Sequence, residues 1–391
     1  MGLARPASRL ADVPAGAAAP RTISPPDVIV GWLQNDYGEV GRAAESIAHV
    51  LAATDLAGSV AYIEPFRPRE GADAELNHRV DRSLHVFSGA GTPPSGRHEI
   101  AEMVLAAAGL TQPLLLNFGV SEANWWIHYE FSPLCSTAVL VTHDRLAEWS
   151  ALAARAALLE HVRTRLIAAS DRVCGLSLGS IDDLPDAVYV GHGCDEAWHD
   201  LQIDAREEPA DLAGIPHPRA VYVGAMSMRF DAGAVRALAR AGVQVVLIGI
   251  APQPDLLEIV NAEEAVHFLG VRSPRETPSY LLHCDVGIVP HTDETFTRSM
   301  EPHKLYNYAA ARLRSVVQHA PFPPALKDFV ETTSDNEEFA EAVLRAVKAG
   351  RLDDGQVSAA RALSWRRVTE AILASVPNDQ EASVPAEDRA T

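Results

Sequence analysis

The chain has 391 residues, a formal net charge of −19, 47% hydrophobic residues and 22% charged residues. That length exceeds one ordinary core and predicts two domains. A field of that sign repels phosphate backbones, so nucleic acid is not an expected partner, and it gives no electrostatic help in binding an anionic membrane surface. No apolar run is long enough to span a bilayer. The four cysteines, Cys135, Cys174, Cys194 and Cys284, are scattered with no CxxC pair. Neither a metal site nor a disulfide framework is expected, and a reducing cytoplasm suits the chain.

Residues 1–26 are rich in Ala, Arg and Pro, lack the apolar core of a signal peptide, and read as a disordered tail. Short apolar runs then alternate with amphipathic segments, the pattern of βαβ units. Strands are predicted at 27–32, 60–63, 84–87, 113–117, 138–141, 172–176 and 187–190, with helices at 42–54, 99–108 and 145–169. Residues 196–217 are polar and proline-containing, and read as a linker between an N-terminal domain at 27–195 and a C-terminal one at 218–357. The second domain restarts the pattern, with strands at 220–224, 243–249, 266–270, 286–290 and 315–317. Its helices are predicted at 232–241, 279–283, 303–311 and 336–349. A closing helix spans 358–376, and 377–391 read as a second tail. The fold class is α/β: two doubly wound, Rossmann-like domains facing across a cleft.

Ligands of open parallel sheets sit beyond the carboxyl ends of the strands, so residues just after strands carry the functional reading. Asp144 follows the 138–141 strand. It is either a cap for the helix predicted behind it or a general base for an acceptor hydroxyl. In the segment from Arg298 to Tyr308, Pro302 leads into a helix that carries Lys304 and, on the same face, Asn307. A helix start with a lysine suits a diphosphate, and the Asn307 amide suits a ribose hydroxyl; the alternative is a solvated surface helix. Gly224 and Gly249 end strands and let a ligand approach the backbone. Gly38 and Gly41, after the first strand, form a candidate acceptor loop. Trp125 and Trp126 either stack an acceptor sugar or pack internally. Neither GxGxxG, a P-loop, HExxH, a GxSxG elbow nor a DxD triplet occurs.

Several stretches resemble a known family. VYVGAMSMRFD, VQVVLIG and AVHFLG look like the first three C-domain strands of GT-B glycosyltransferases. SYLLHCDVGIVPHTDE and MEPHKLYNYAAARLRSVV resemble their nucleotide-binding segment, and SWRRVTEAIL resembles the final helix that crosses back to the first domain. Within that fold the chain is most similar to the xanthan-type inverting glucuronosyltransferases, whose interdomain stretch VYVGHGCDEAWH resembles. The resemblance places Asp144 on the catalytic aspartate and Lys304 on the phosphate-contacting lysine. It places Met226 and His303 in the nucleotide pocket, and Asn307 where relatives carry a glutamine or glutamate. The departures are Asn307 itself and Arg312, Arg314 and Ser315, which replace a glycine- and proline-containing turn. The implied activity is hexosyl transfer from a nucleotide-diphosphate sugar, uridine favoured, to a small-molecule, lipid-linked or carrier-bound acceptor. Inversion and metal independence are implied as well, with no cofactor. Two other readings use the same site: a sugar-nucleotide epimerase, and a non-catalytic nucleotide-sugar-binding partner subunit.

Overall fold

The computed structural model describes residues 25–31, 43–67, 75–90, 98–250 and 254–377. The tails predicted at either end, and Gly38 and Gly41, lie essentially outside the described residues.

The strands, in chain order, are β1 (Val28–Gly31), β2 (Val60–Arg67), β3 (Glu75–Asp81), β4 (Leu84–Ala90), β5 (Leu114–Phe118), β6 (Thr137–Thr142), β7 (Arg172–Gly175) and β8 (Val188–Tyr189). A second set follows: β9 (Arg219–Val223), β10 (Gln244–Ile248), β11 (Val266–Gly270), β12 (Val286–Val289), β13 (Arg314–Gln318) and β14 (Val330–Thr333). They form an eight-stranded sheet ordered β3-β4-β2-β1-β5-β6-β7-β8 and a six-stranded sheet ordered β11-β10-β9-β12-β13-β14. The second order is that of a Rossmann fold, with its switch point between β9 and β12. All pairings are parallel except β3 with β4.

The central strands are apolar on both faces because helices cover both. In β1, Val28 and Val30 join one N-terminal core cluster and Ile29 the other. In β9, Val221 and Tyr222 divide between the two C-terminal clusters in the same way. The helix Trp365–Ser375 returns to the first domain, where Trp365, Val368 and Ile372 pack beside Ile47 and Leu51 of the helix Ala43–Ala53.

Four local expectations are corrected. The strand β3 and the helix Glu122–Phe131 were not predicted. The β3 sequence ELNHRVD is mostly exposed and shows little alternation because it forms a sheet edge. The helix predicted at 145–169 begins only at Ala156; before it the chain makes 3-10 turns at Leu146–Glu148 and Ser150–Arg155. The closing helix is two, Asp354–Ala362 and Trp365–Ser375, separated where Ser364 caps the second through the Arg367 amide. The segment 196–217 is not a loose connection: Trp198, Ile203, Leu212 and Ile215 are buried in a C-terminal core cluster.

Candidate active site in the interdomain cleft

Both sheets turn their carboxyl edges toward one cleft. From the first domain, β6 delivers His143 and Asp144. From the second, β9 delivers the turn at Gly224, β12 delivers His291, and the helix Lys304–Ala310 delivers Lys304.

Asp144 does not cap a helix. The residue at the cap position of the 3-10 turn behind it is Arg145, which makes no side-chain cap bond. The Asp144 carboxylate instead meets His143 Nδ1 at 3.1 Å, and 27% of its side chain stays exposed. Burial pushes its pKa up, but His143 and then Arg229 outweigh that and hold it below the ordinary carboxylate value. Asp144 is therefore ionised at neutral pH and able to accept a proton.

Across the cleft, Lys304 Nζ lies 4.8 Å from the centre of the Tyr222 ring. A Cβ added at Gly224 would stand 3.4 Å from the Lys304 ε-carbon. Three strand-ending glycines make this edge: Gly224, Gly249 and Gly270, with φ of 143°, 140° and 76°. The Gly224 amide donates to Ile248 O and the Gly249 amide to Gly270 O, both at 2.9 Å. A Cβ on Gly249 would sit 2.0 Å from Gly224 O, so this row admits only glycine there.

The helix start contributes less than expected. It is one short helix of seven residues, and the amides of Leu305 and Tyr306 already donate to Pro302 O and His303 O. The positive charge facing the cleft is the Lys304 ammonium itself. Arg229 adds a second cation: its guanidinium lies 5.8 Å from the Trp149 ring and 5.4 Å from the Phe296 ring. A chain of net charge −19 thus gathers cations where its two sheets meet.

The cleft also holds an unusual density of buried polar atoms without a hydrogen-bond partner. They include Nε of Arg229, both ring nitrogens of His291, Nδ1 of His192, Nε1 of Trp149, and the hydroxyls of Ser227 and Thr292. Most buried polar groups in folded proteins are paired, so this cluster has bonding capacity left for water or a polar ligand. Among the described residues, no three His, Cys, Asp or Glu side chains are grouped as metal ligands. No helix among them is long and apolar enough to cross a membrane.

Other predicted site residues have different partners. The Asn307 amide is occupied: Oδ1 accepts from the Asp195 amide at 2.9 Å and the Trp198 indole at 3.0 Å, and Nδ2 donates to Asp195 at 2.7 Å. Asn307 ties the interdomain stretch to the helix Lys304–Ala310, so its amide is already used where a ribose contact was expected. Met226 is buried in the C-terminal core beside Tyr222 and Phe230. His303 stands between His192 and Trp365, with ring centroids 5.7 Å and 5.8 Å away. Trp125 and Trp126, expected either to stack an acceptor or to pack internally, both make internal contacts. Arg165 and His128 cover Trp125 at 4.2 Å and 5.9 Å, and Trp126 packs edge-on to Phe131 at 6.3 Å. Both indoles are partly buried, Trp126 against one N-terminal core cluster and Trp125 against another.

The residues that sequence reasoning missed are mostly those that hold the two domains together. Trp149 stacks on Phe296 at 5.6 Å, and the Ser150 hydroxyl donates to Glu294 at 2.9 Å. The Tyr189 hydroxyl donates to Glu301, at 3.0 Å to one oxygen, and the Tyr306 hydroxyl donates to the same carboxyl at 3.1 Å. Burial raises the Glu301 pKa to about 7, and the two tyrosine bonds offset this only in part. A carboxyl raised in the folded state contributes stability that is complete below about 4.5 and is lost as pH rises through about 7. Glu301→Gln is therefore expected to gain several degrees in melting temperature relative to the parent chain between pH ~5 and pH ~8. Parallel pH profiles for the two proteins would contradict this.

Comparisons with known proteins bear on the architecture. No protein-family model matches the chain, and no curated protein sequence matches it. Solved structures do match. An α,α-trehalose-phosphate synthase (UDP-forming) from Burkholderia xenovorans superposes with a TM-score of 0.65 at 10% identity, over 90% of this chain and 99% of that one. The fold is GT-B. HepE of Anabaena, solved with UDP and glucose, gives 0.59 at 15% identity, over 92% of this chain and all (100%) of that one. A UDP-N-acetylglucosamine 2-epimerase assigned in Listeria monocytogenes gives 0.54 at 10% identity, over 92% and 98%. At these identities the likeness concerns the GT-B fold, and function is argued from the site.

Proposed function

We propose that this GT-B protein is a glycosyltransferase that moves a hexosyl group from a nucleotide-diphosphate sugar to an acceptor hydroxyl or amine. The observation that carries this reading is an ionised carboxylate and a lysine on the facing carboxyl edges of two closed domains, with unpartnered polar groups buried between them. The two named relatives whose structures concern UDP or UDP-forming chemistry support a uridine donor, and the sequence resemblance adds UDP-glucuronate to the donors worth testing first.

In this reading the diphosphate lies over the glycine row at Gly224 and Gly249, against Lys304. Charge develops on it as the glycosidic bond breaks, and Lys304 and Arg229 stabilise that charge at no reorganisation cost. The Asp144 carboxylate takes the proton of the acceptor as its oxygen or nitrogen attacks the anomeric carbon, which inverts the configuration. The closed domains keep water from competing with the acceptor. Met226 shapes the pocket from beneath, and Asn307 and His303 hold the interdomain stretch. The scheme needs no metal and no cofactor.

Calorimetric titration with UDP, TDP and GDP, with and without magnesium, tests the donor site. One nucleotide is expected to bind without metal, and Lys304→Ala to weaken it about 10- to 100-fold. Unchanged affinity in the variant removes Lys304 from the site. The likeness to the Listeria epimerase favours one second reading. Donor incubated alone and followed by NMR separates the two: a new sugar epimer without acceptor supports epimerisation. A protein that binds nucleotide and turns over no acceptor would be a binding subunit.

A further inference from the structure

The stretch that joins the two domains passes through Gly191, His192 and Gly193, and its histidine has no role in the scheme above. Gly191 has a φ of 71° and lies under two phenols; an added Cβ would stand 3.2 Å from the Tyr306 hydroxyl and 3.3 Å from that of Tyr189. Gly193 is pressed on the backbone of Ser364 and Trp365, where a Cβ would come within 2.4 Å of the Trp365 nitrogen. The His192 amide donates to the Tyr306 hydroxyl at 3.2 Å. The turn is thus wedged between both domains and the returning helix, and the imidazole has little freedom to move.

The ring itself is walled by His303, Tyr306 and Trp365, with centroids 5.7 Å, 6.0 Å and 5.9 Å away. It is 7% exposed, and its Nδ1 is buried without a hydrogen-bond partner. Its charge state is coupled to Asp144 and His143 on one side and to His303, the neighbour of Lys304, on the other. His192 therefore packs on His303, next to the candidate phosphate ligand, and is within electrostatic reach of the candidate base. In the proposed arrangement the anomeric carbon of the transferred sugar lies between that base and the diphosphate, so the sugar ring passes close to this segment.

Burial and two neighbouring histidines hold the His192 pKa well below its ordinary value. A neutral imidazole has one donor nitrogen and one acceptor nitrogen. A phosphate offers only acceptors at this position, so it matches half of the ring at best. A sugar hydroxyl both donates and accepts and matches either tautomer. Leaving such a group without its partner is costly, which is why a site built on hydrogen bonds discriminates well between hydroxyl patterns.

We propose that His192 determines donor-sugar specificity by hydrogen-bonding a ring hydroxyl of the transferred sugar. The inference rests on the nucleotide-sugar reading, and its test separates the two. The parent chain, His192→Phe and His192→Asn are titrated by calorimetry with UDP, UDP-glucose and UDP-galactose, after a thermal melt confirms that each is folded. The parent is expected to prefer one of the two epimeric donors. In His192→Phe, UDP affinity stays within about twofold while the preferred donor weakens about tenfold, and the preference between epimers disappears. His192→Asn, which restores a donor and an acceptor, recovers part of the preference. An equal loss for UDP and both sugar nucleotides would make His192 a structural wedge and overturn the proposal. Unchanged donor binding with a raised acceptor KM would move the residue to the acceptor side and overturn it too. If the parent bound neither UDP nor a UDP-sugar, the donor reading itself would fall, and this inference with it.

Discussion

Asp144→Asn is expected to lower turnover by about a thousandfold and to change nucleotide affinity by less than about twofold. The substitution is nearly isosteric and removes the proton acceptor. It does not disturb a helix, because Asp144 caps none: the turn behind it starts at Leu146 and the long helix only at Ala156. The nucleotide, in the proposed arrangement, contacts the opposite sheet. Single-turnover assays of donor consumption, beside calorimetry with the nucleotide that the parent binds, measure both quantities. Equal loss of turnover and affinity would show that Asp144 supports the donor pocket instead. Unchanged turnover would place the base elsewhere, and His143, whose Nδ1 lies 3.1 Å from the Asp144 carboxylate, would be the next residue to replace.

Gly179→Ala is expected to cost about a hundredfold in turnover with little change in the folding of either domain. Gly179 lies in the turn Leu178–Ser180 of the first domain and rests on Ser299, at the end of the short helix Thr295–Ser299 of the second. A single added Cβ would lie 2.2 Å from Ser299 O and 2.7 Å from its Cα. Backbone on both sides leaves no flexible side chain to give way, so the two domains have to part. A displacement of about 1 Å between catalytic groups and substrate is enough for a loss of that size. Small-angle scattering in the presence of nucleotide is expected to report a wider particle for the variant, and circular dichroism an unchanged helix and strand content. Full activity in Gly179→Ala would mean that the chemistry does not require this closed contact.

The parts of the site that could be read from the chain have short-range signatures. Asp144, Gly224 and Gly249 stand directly after apolar runs, and the period of a buried parallel strand locates its own carboxyl end. Lys304 stands at the start of a short helix behind Pro302, a pairing readable from neighbouring residues. Trp125 and Trp126 were ambiguous because an indole stacks as well on Arg165 or Phe131 as on a sugar, and only the position of their helix decides which. The spacing of Asn307 from Lys304 reports a shared helix face and says nothing about what already occupies that face, here Asp195 and Trp198. Arg229 was passed over, although it too lies in a loop that follows a strand.

Composition, apolar periodicity and strand-end residues by themselves determined the α/β class, the two doubly wound sheets and the residues at their carboxyl edges. These signals are local, since a strand buried on both faces and the turn that ends it are written within a few consecutive residues. The closed cleft was decided only in three dimensions. Tyr189 reaches Glu301 across 112 residues of chain, Ser150 reaches Glu294 across 144, and His192 meets Tyr306 across 114. No periodicity links such partners. Their pairing follows from how two separately folded sheets face each other and from the returning helix at Trp365, which packs the junction between them.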